Sequence, residues 1–177
     1  MTFDACLDLI LQWEGVYDND PDDSGGETCF GITRKFQPDW LGWDVVADLK
    51  AAQVPKDAWP QQARLMGAVR LYYAALWQKH RMDEYPAEIR GIVFGGIVNQ
   101  GPRVVKWVQE SLRELSQPVE ADGVLGPQTI AAFGKVSSAA LKEKVWGKRV
   151  QAYIVAANKG NNGKYLLGWL NRLSAGA

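Results

Sequence analysis

Apolar residues recur at helical spacing along most of this chain. Phe3, Cys6, Leu7, Ile10 and Leu11 share one face of a first helix, with Thr2 placed to cap it and Gly15 to stop it. The period then breaks. Residues 18–31 are dense in Asp, Asn, Pro, Ser and Gly, and they read as a loop or as a short hairpin turning at Gly25-Gly26. A short helix is predicted over 44–52, broken by Pro55. A long one opens at Pro60, a good first-turn proline, and runs over 60–79 with Ala63, Met66, Val69, Tyr73, Leu76 and Trp77 among its apolar positions. Further helices are predicted over 88–100 and 103–115, from Pro127, over 138–158 with Ser138 as cap, and over 165–173. Strand signals are few, so the pattern predicts a mainly α fold with at most a small β-hairpin after the first helix.

Composition narrows the function classes. At 177 residues and 47% apolar content the chain can bury a core, as one domain or a small domain with a helical half attached. Twenty basic and 20 acidic residues balance to zero, which argues against nucleic-acid or membrane binding driven by bulk charge. No apolar run is long enough to span a membrane, and Asp4 and Asp8 interrupt the start of the chain, so no secretory leader is expected. Cys6 and Cys29 lack metal spacing and read as free buried thiols. His80 is the single histidine, which excludes a multi-histidine zinc site, and no phosphate-cradling glycine motif occurs. No metal and no cofactor are expected. The 8 Trp, 6 Tyr and 5 Phe can pack a core, and they can also line a carbohydrate groove.

Glu14 is the acid that stands out. Continued helical spacing from Phe3 sets it on the apolar face at the helix C-terminus, where burial and the negative end of the helix dipole both oppose ionisation. A carboxylic acid held protonated is what protonation of a glycosidic oxygen requires. A structural Glu capping the next loop is the competing reading. Glycoside hydrolysis usually needs a second carboxylate. Among Asp18, Asp20, Asp22 and Asp23, the preferred residue is Asp23, set before Ser24-Gly25-Gly26 where the loop can fold back, with Asp22 close behind.

Glu14-Gly15-Val16-Tyr17, then Asp20-Pro21-Asp22-Asp23, Gly25-Gly26-Glu27-Thr28 and Gly31-Ile32-Thr33, resemble the signature of glycoside hydrolase family 108, the N-acetylmuramidases of phages and bacteria. The resemblance continues through Tyr72, Trp77, Asp83, Pro86 and Val98-Asn99-Gln100-Gly101. Ala121-Asp122-Gly123, Gly126-Pro127, Thr129 and Gly168-Trp169-Leu170 are similar to its C-terminal, peptidoglycan-binding part. Val16 departs from the family's second glycine, and Cys29-Phe30 from a more polar pair. Asp23 keeps the spacing from the acid found in related phage lysozymes, whereas Thr28 stands one residue short.

The resemblance implies a lysozyme-like fold, with a catalytic part over 1–87 and a helical peptidoglycan-binding part over 88–177. It implies cleavage of the β-1,4 bond between N-acetylmuramic acid and N-acetylglucosamine, with Glu14 as acid and Asp23, helped by Thr28, as its partner. Tyr17, Tyr73, Trp77 and Asn99 are the groove candidates, each also a reasonable core or helix-end residue. The Asp122-Gly123 loop reads as an efficient turn and helix start. The expected partner is the peptidoglycan glycan strand and the expected state a monomer, made in the bacterial cytoplasm and reaching the wall through a holin-like pore or another export route. A lytic transglycosylase and a non-catalytic peptidoglycan-binding or secretion-accessory protein are the alternatives.

Overall fold

The computed structural model describes residues 1–19, 26–159 and 162–176. Helix α1 (Phe3–Leu11) is followed by three short strands, β1 (Tyr17–Asp18), β2 (Thr28–Cys29) and β3 (Ile32–Thr33). Helices α2 (Gly42–Ala51), α3 (Ala63–Lys79), α4 (Arg90–Gln100), α5 (Arg103–Glu114), α6 (Pro127–Phe133), α7 (Ser138–Ala157) and α8 (Leu166–Ser174) complete the order. The chain is mainly α with one small antiparallel sheet after the first helix, as the hydrophobic pattern predicts. Two compact units divide it: Leu11–Leu76, and Met1–Ile10 together with Trp77–Ala177.

In the Leu11–Leu76 unit the sheet runs β1-β2-β3, with Tyr17 opposite Cys29 and Cys29 opposite Ile32. Cys29 and Ile32 are fully buried. Trp43, Val46, Leu49, Trp59, Leu65, Val69 and Tyr73 fill the same core. The long helix does not open at Pro60. That residue lies in a 3-10 turn, Lys56–Gln61, and the α-helix starts at Ala63 after an extended Gln62. Tight winding lets Trp59 bury itself while its indole N–H donates to the Val54 carbonyl at 3.0 Å.

In the other unit α4 is buried from Gly91 to Ile97, so it is a core helix with no wet face over that stretch. Helices α5 and α7 pack on it and on each other, and α8 packs on α7. Val104, Val108 and Leu112 of α5 meet this core on one stripe. The cap of α7 is Ser137 rather than Ser138. Ser137 takes the extended backbone a cap needs, and its hydroxyl accepts from the Ala140 N–H at 3.5 Å. Arg149 of α7 is completely buried. Its guanidinium donates to the Ile92 carbonyl at 2.9 Å, to Gln100 Oε1 at 2.7 Å and to the Tyr153 hydroxyl at 3.2 Å. Nothing in helical periodicity marks this residue. Among the described residues no helix is long and apolar enough to cross a membrane, and no cluster of His, Cys, Asp and Glu could hold a metal ion.

Candidate active site

The turn joining β2 to β3 organises the site. Only Phe30 and Gly31 lie between Cys29 and Ile32, and both have positive φ, 47° and 77°. A two-residue hairpin loop of type I′, whose twist matches the sheet's, needs left-handed backbone at both positions. Gly31 adopts it without cost; Phe30 is held there by a ring only 4% exposed. The expected turn at Gly25-Gly26, on the link from β1 to β2, falls partly outside the described residues.

Glu14 and Tyr73 converge on Gly31. A β-carbon at that position would sit 2.9 Å from the carboxyl carbon and Oε2 of Glu14, and 3.0 Å from the Tyr73 hydroxyl. The Tyr73 hydroxyl donates to the Phe30 carbonyl at 2.8 Å. Tyr73 is itself 1% exposed. Helix α3 therefore reaches the hairpin through one buried phenol, and the missing side chain of Gly31 makes room for the acid.

This is not how helical spacing places Glu14. Helix α1 ends at Leu11, and Glu14 lies in the bend after it. The chain must be extended by Tyr17 to pair with β2, and Val16 already accepts from the Phe30 N–H at 3.1 Å. Strand pairing therefore ends the helix before the apolar face reaches Glu14. The carboxyl is half-buried all the same, but against a hairpin turn instead of along a helix face.

Beside the turn lies a polar cluster that sequence patterns do not reveal. The Tyr17 hydroxyl donates to Glu27 Oε1 at 2.6 Å, and Lys50 donates to both at 2.9 and 3.3 Å. Arg34 closes on Glu27 Oε2 at 2.5 Å. Burial alone would raise the Glu27 carboxyl. The hydrogen bonds from Tyr17 and Lys50, with the charges of Arg34 and Lys50, outweigh it and hold the group below the usual carboxylate range. Burial and the bond to Glu27 push the Tyr17 phenol up. The Tyr17 ring also packs on Trp59 at 4.9 Å. Lys50 lies far from Glu27 along the chain, so no local motif could have joined them.

The other expected site residues are placed as follows. Thr28 lies half-buried in β2; its hydroxyl donates to the Gly26 carbonyl at 3.2 Å and reaches the Thr33 hydroxyl at 3.5 Å. Asp22 and Asp23 lie outside the described residues. Trp77 is 4% exposed, edge-on to Phe3 and Phe94, with its indole N–H donating to Asp83 at 3.1 Å. That is the packing role weighed against a groove role. Asn99 donates to the Gly95 carbonyl at 2.8 Å and accepts from the Arg172 guanidinium. Cys6 and Cys29 are buried free thiols, and burial pushes them up to about 11 and about 12.

A family model described as Glycosyl hydrolase 108 matches residues 7–101, more than half of the chain, with Glu14, Gly31 and Tyr73 inside it. The chain belongs to the glycosyl hydrolase 108 family. A second model, described as Predicted Peptidoglycan domain, matches residues 103–174 of this glycosyl hydrolase 108 protein. The two together make it a peptidoglycan hydrolase. The chain is also similar to the solved structure of Brucella abortus SagA, at 23% identity and a TM-score of 0.67, covering 98% of this chain and 90% of that one. At that identity the likeness speaks for the fold alone. A search of curated proteins found none that matches.

Proposed function

We propose that this glycosyl hydrolase 108 protein is an N-acetylmuramidase of the endolysin type. It cleaves the β-1,4 bond between N-acetylmuramic acid and N-acetylglucosamine, with Glu14 as general acid. The observation that carries the reading is the half-buried Glu14 carboxyl set against Gly31, beside the Tyr73 hydroxyl. Glu14 gives its proton to the glycosidic oxygen as the C–O bond breaks. Positive charge develops on the muramic ring, and water adds at its anomeric carbon and releases a proton, which restores the acid form of Glu14. Asp23 is the residue proposed to orient that water, with Thr28 assisting. Glu27 is a poor second catalytic group, because both its oxygens are taken by Tyr17, Lys50 and Arg34. Residues 1–87 carry the catalysis and 88–177 hold the substrate, and the protein reaches the wall through a holin-like pore or other export.

Purified peptidoglycan incubated with wild type and with Glu14→Gln, followed by mass analysis of the fragments, tests this. Wild type should release fragments with reducing N-acetylmuramic ends, and the variant at least about 100-fold less. Equal release by both proteins would end the enzymatic reading. Anhydromuramic ends would transfer the same acid to a lytic transglycosylase, and reducing N-acetylglucosamine ends would reassign the bond.

A further inference from the structure

A cleft of about 550 Å³ opens within the Trp77–Ala177 unit, between α5, α7 and α8, with Asn99 at one edge. Its walls are aromatic. Trp107 of α5 is half-buried in it, and Trp169 of α8 stacks on the buried Tyr153 of α7 with ring centroids 5.4 Å apart. Its charge is mostly basic, from Arg103, Lys148 and Lys159 against a single acid, Glu110. Lys148 is already engaged by Glu110 at 3.6 Å and Glu114 at 2.6 Å. Arg103 spends only its Nε, on the Gln100 carbonyl at 2.7 Å, and lays its guanidinium over Trp107 at 5.7 Å. Among the described residues, its two terminal nitrogens and the Lys159 ammonium have no carboxylate partner.

Aromatic walls with two uncommitted cations select a ligand that joins an apolar body to an anion. In stem-bearing peptidoglycan the sugars do not meet that description, since their amines are N-acetylated and the lactyl carboxyl is tied up in the amide to the stem. The peptide stem does, because its side-chain and terminal carboxylates are free. We infer that this cleft binds the carboxylate-bearing peptide stem of peptidoglycan, with Arg103 and Lys159 taking the carboxylates and Trp107 and Trp169 the apolar body. The chain then reads stems at the cleft and cuts glycan at Glu14. The inference rests on the peptidoglycan reading above, which alone supplies the ligand class.

The test uses the full chain carrying Glu14→Gln, so that ligand is not consumed. Calorimetry measures binding of a disaccharide with its tetrapeptide stem, and of the same disaccharide with its lactyl carboxyl capped as the methylamide in place of the stem, which removes the anion. Arg103→Glu and Lys159→Glu are both exposed surface changes that should leave folding intact, checked by circular dichroism. Each should weaken the stem-bearing ligand by about tenfold and leave the stem-free one unchanged. Equal affinity for the two ligands, or no effect of either substitution, would overturn the inference. Such an outcome leaves the Glu14 reading standing, because that is judged by bond cleavage in the otherwise wild-type chain.

Discussion

The carboxyl of Glu14 occupies the space that a side chain at Gly31 would need, its carbon and Oε2 lying 2.9 Å from where that β-carbon would be. The acid is thus positioned by an absence, and the hairpin turn and the half-burial of the acid are one feature. Substituting Gly31 disturbs the backbone and the acid together.

Gly31→Ala should therefore lose most peptidoglycan-hydrolysing activity and about 1–3 kcal/mol of stability. The residue's φ of 77° disfavours any β-carbon, and the new methyl displaces Glu14. Turbidity loss of a cell-wall suspension measures the first effect and urea unfolding the second. A fully active, equally stable variant would show that Glu14 is not held by this turn.

Two tyrosine-to-phenylalanine changes should have opposite effects. Tyr73→Phe strips the Phe30 carbonyl of a buried donor at 2.8 Å and should cost about 1–2 kcal/mol, with reduced turnover as the turn beside Glu14 loosens. Tyr85 is equally buried, but its hydroxyl has no hydrogen-bond partner among the described residues. Tyr85→Phe should be neutral or stabilising by up to about 1 kcal/mol. Paired thermal melts compare the two.

Glu27 should make stability fall in acid. Its folded carboxyl titrates below the ordinary 4.5, so its contribution is complete above that value and is lost as pH falls through the lower folded one. Glu27→Gln should accordingly be less stable than wild type at neutral pH, and the gap should close as pH falls through the lowered folded value. Urea unfolding of both proteins from neutral into acid pH reads it out. A gap independent of pH would mean that Glu27 acts through shape, not charge.

Arg149→Met keeps the bulk of the side chain but abandons Ile92, Gln100 and Tyr153 inside the helical unit. A loss on the order of 3 kcal/mol is expected from these orphaned groups, seen in urea denaturation. Stability at or above wild type would show that the buried charge is dispensable, as replaced buried ion pairs sometimes are.

Most helices were legible because each needs only a local apolar stripe, and α5 displays one through Val104, Val108 and Leu112. Where the pattern misled, a distant partner intervened. Periodicity ran α1 on to Glu14, but pairing of β1 with β2 ends it at Leu11. Pro60 marked a helix start, but burial of Trp59 winds that stretch as a 3-10 turn.

The helical order, the small sheet's neighbourhood, the free thiols and the singular acid are written along the chain, because spacing and residue chemistry are local properties. The chain also carries the ordered motifs that make the family recognisable. The surroundings of Glu14 come from the folded chain instead. The Phe30-Gly31 turn, the Tyr73 hydroxyl from α3 and the Lys50 that closes on Glu27 come from separate stretches of chain. Such contacts form only when buried polar groups must find partners across the fold, and no periodicity along one segment records which partner that will be.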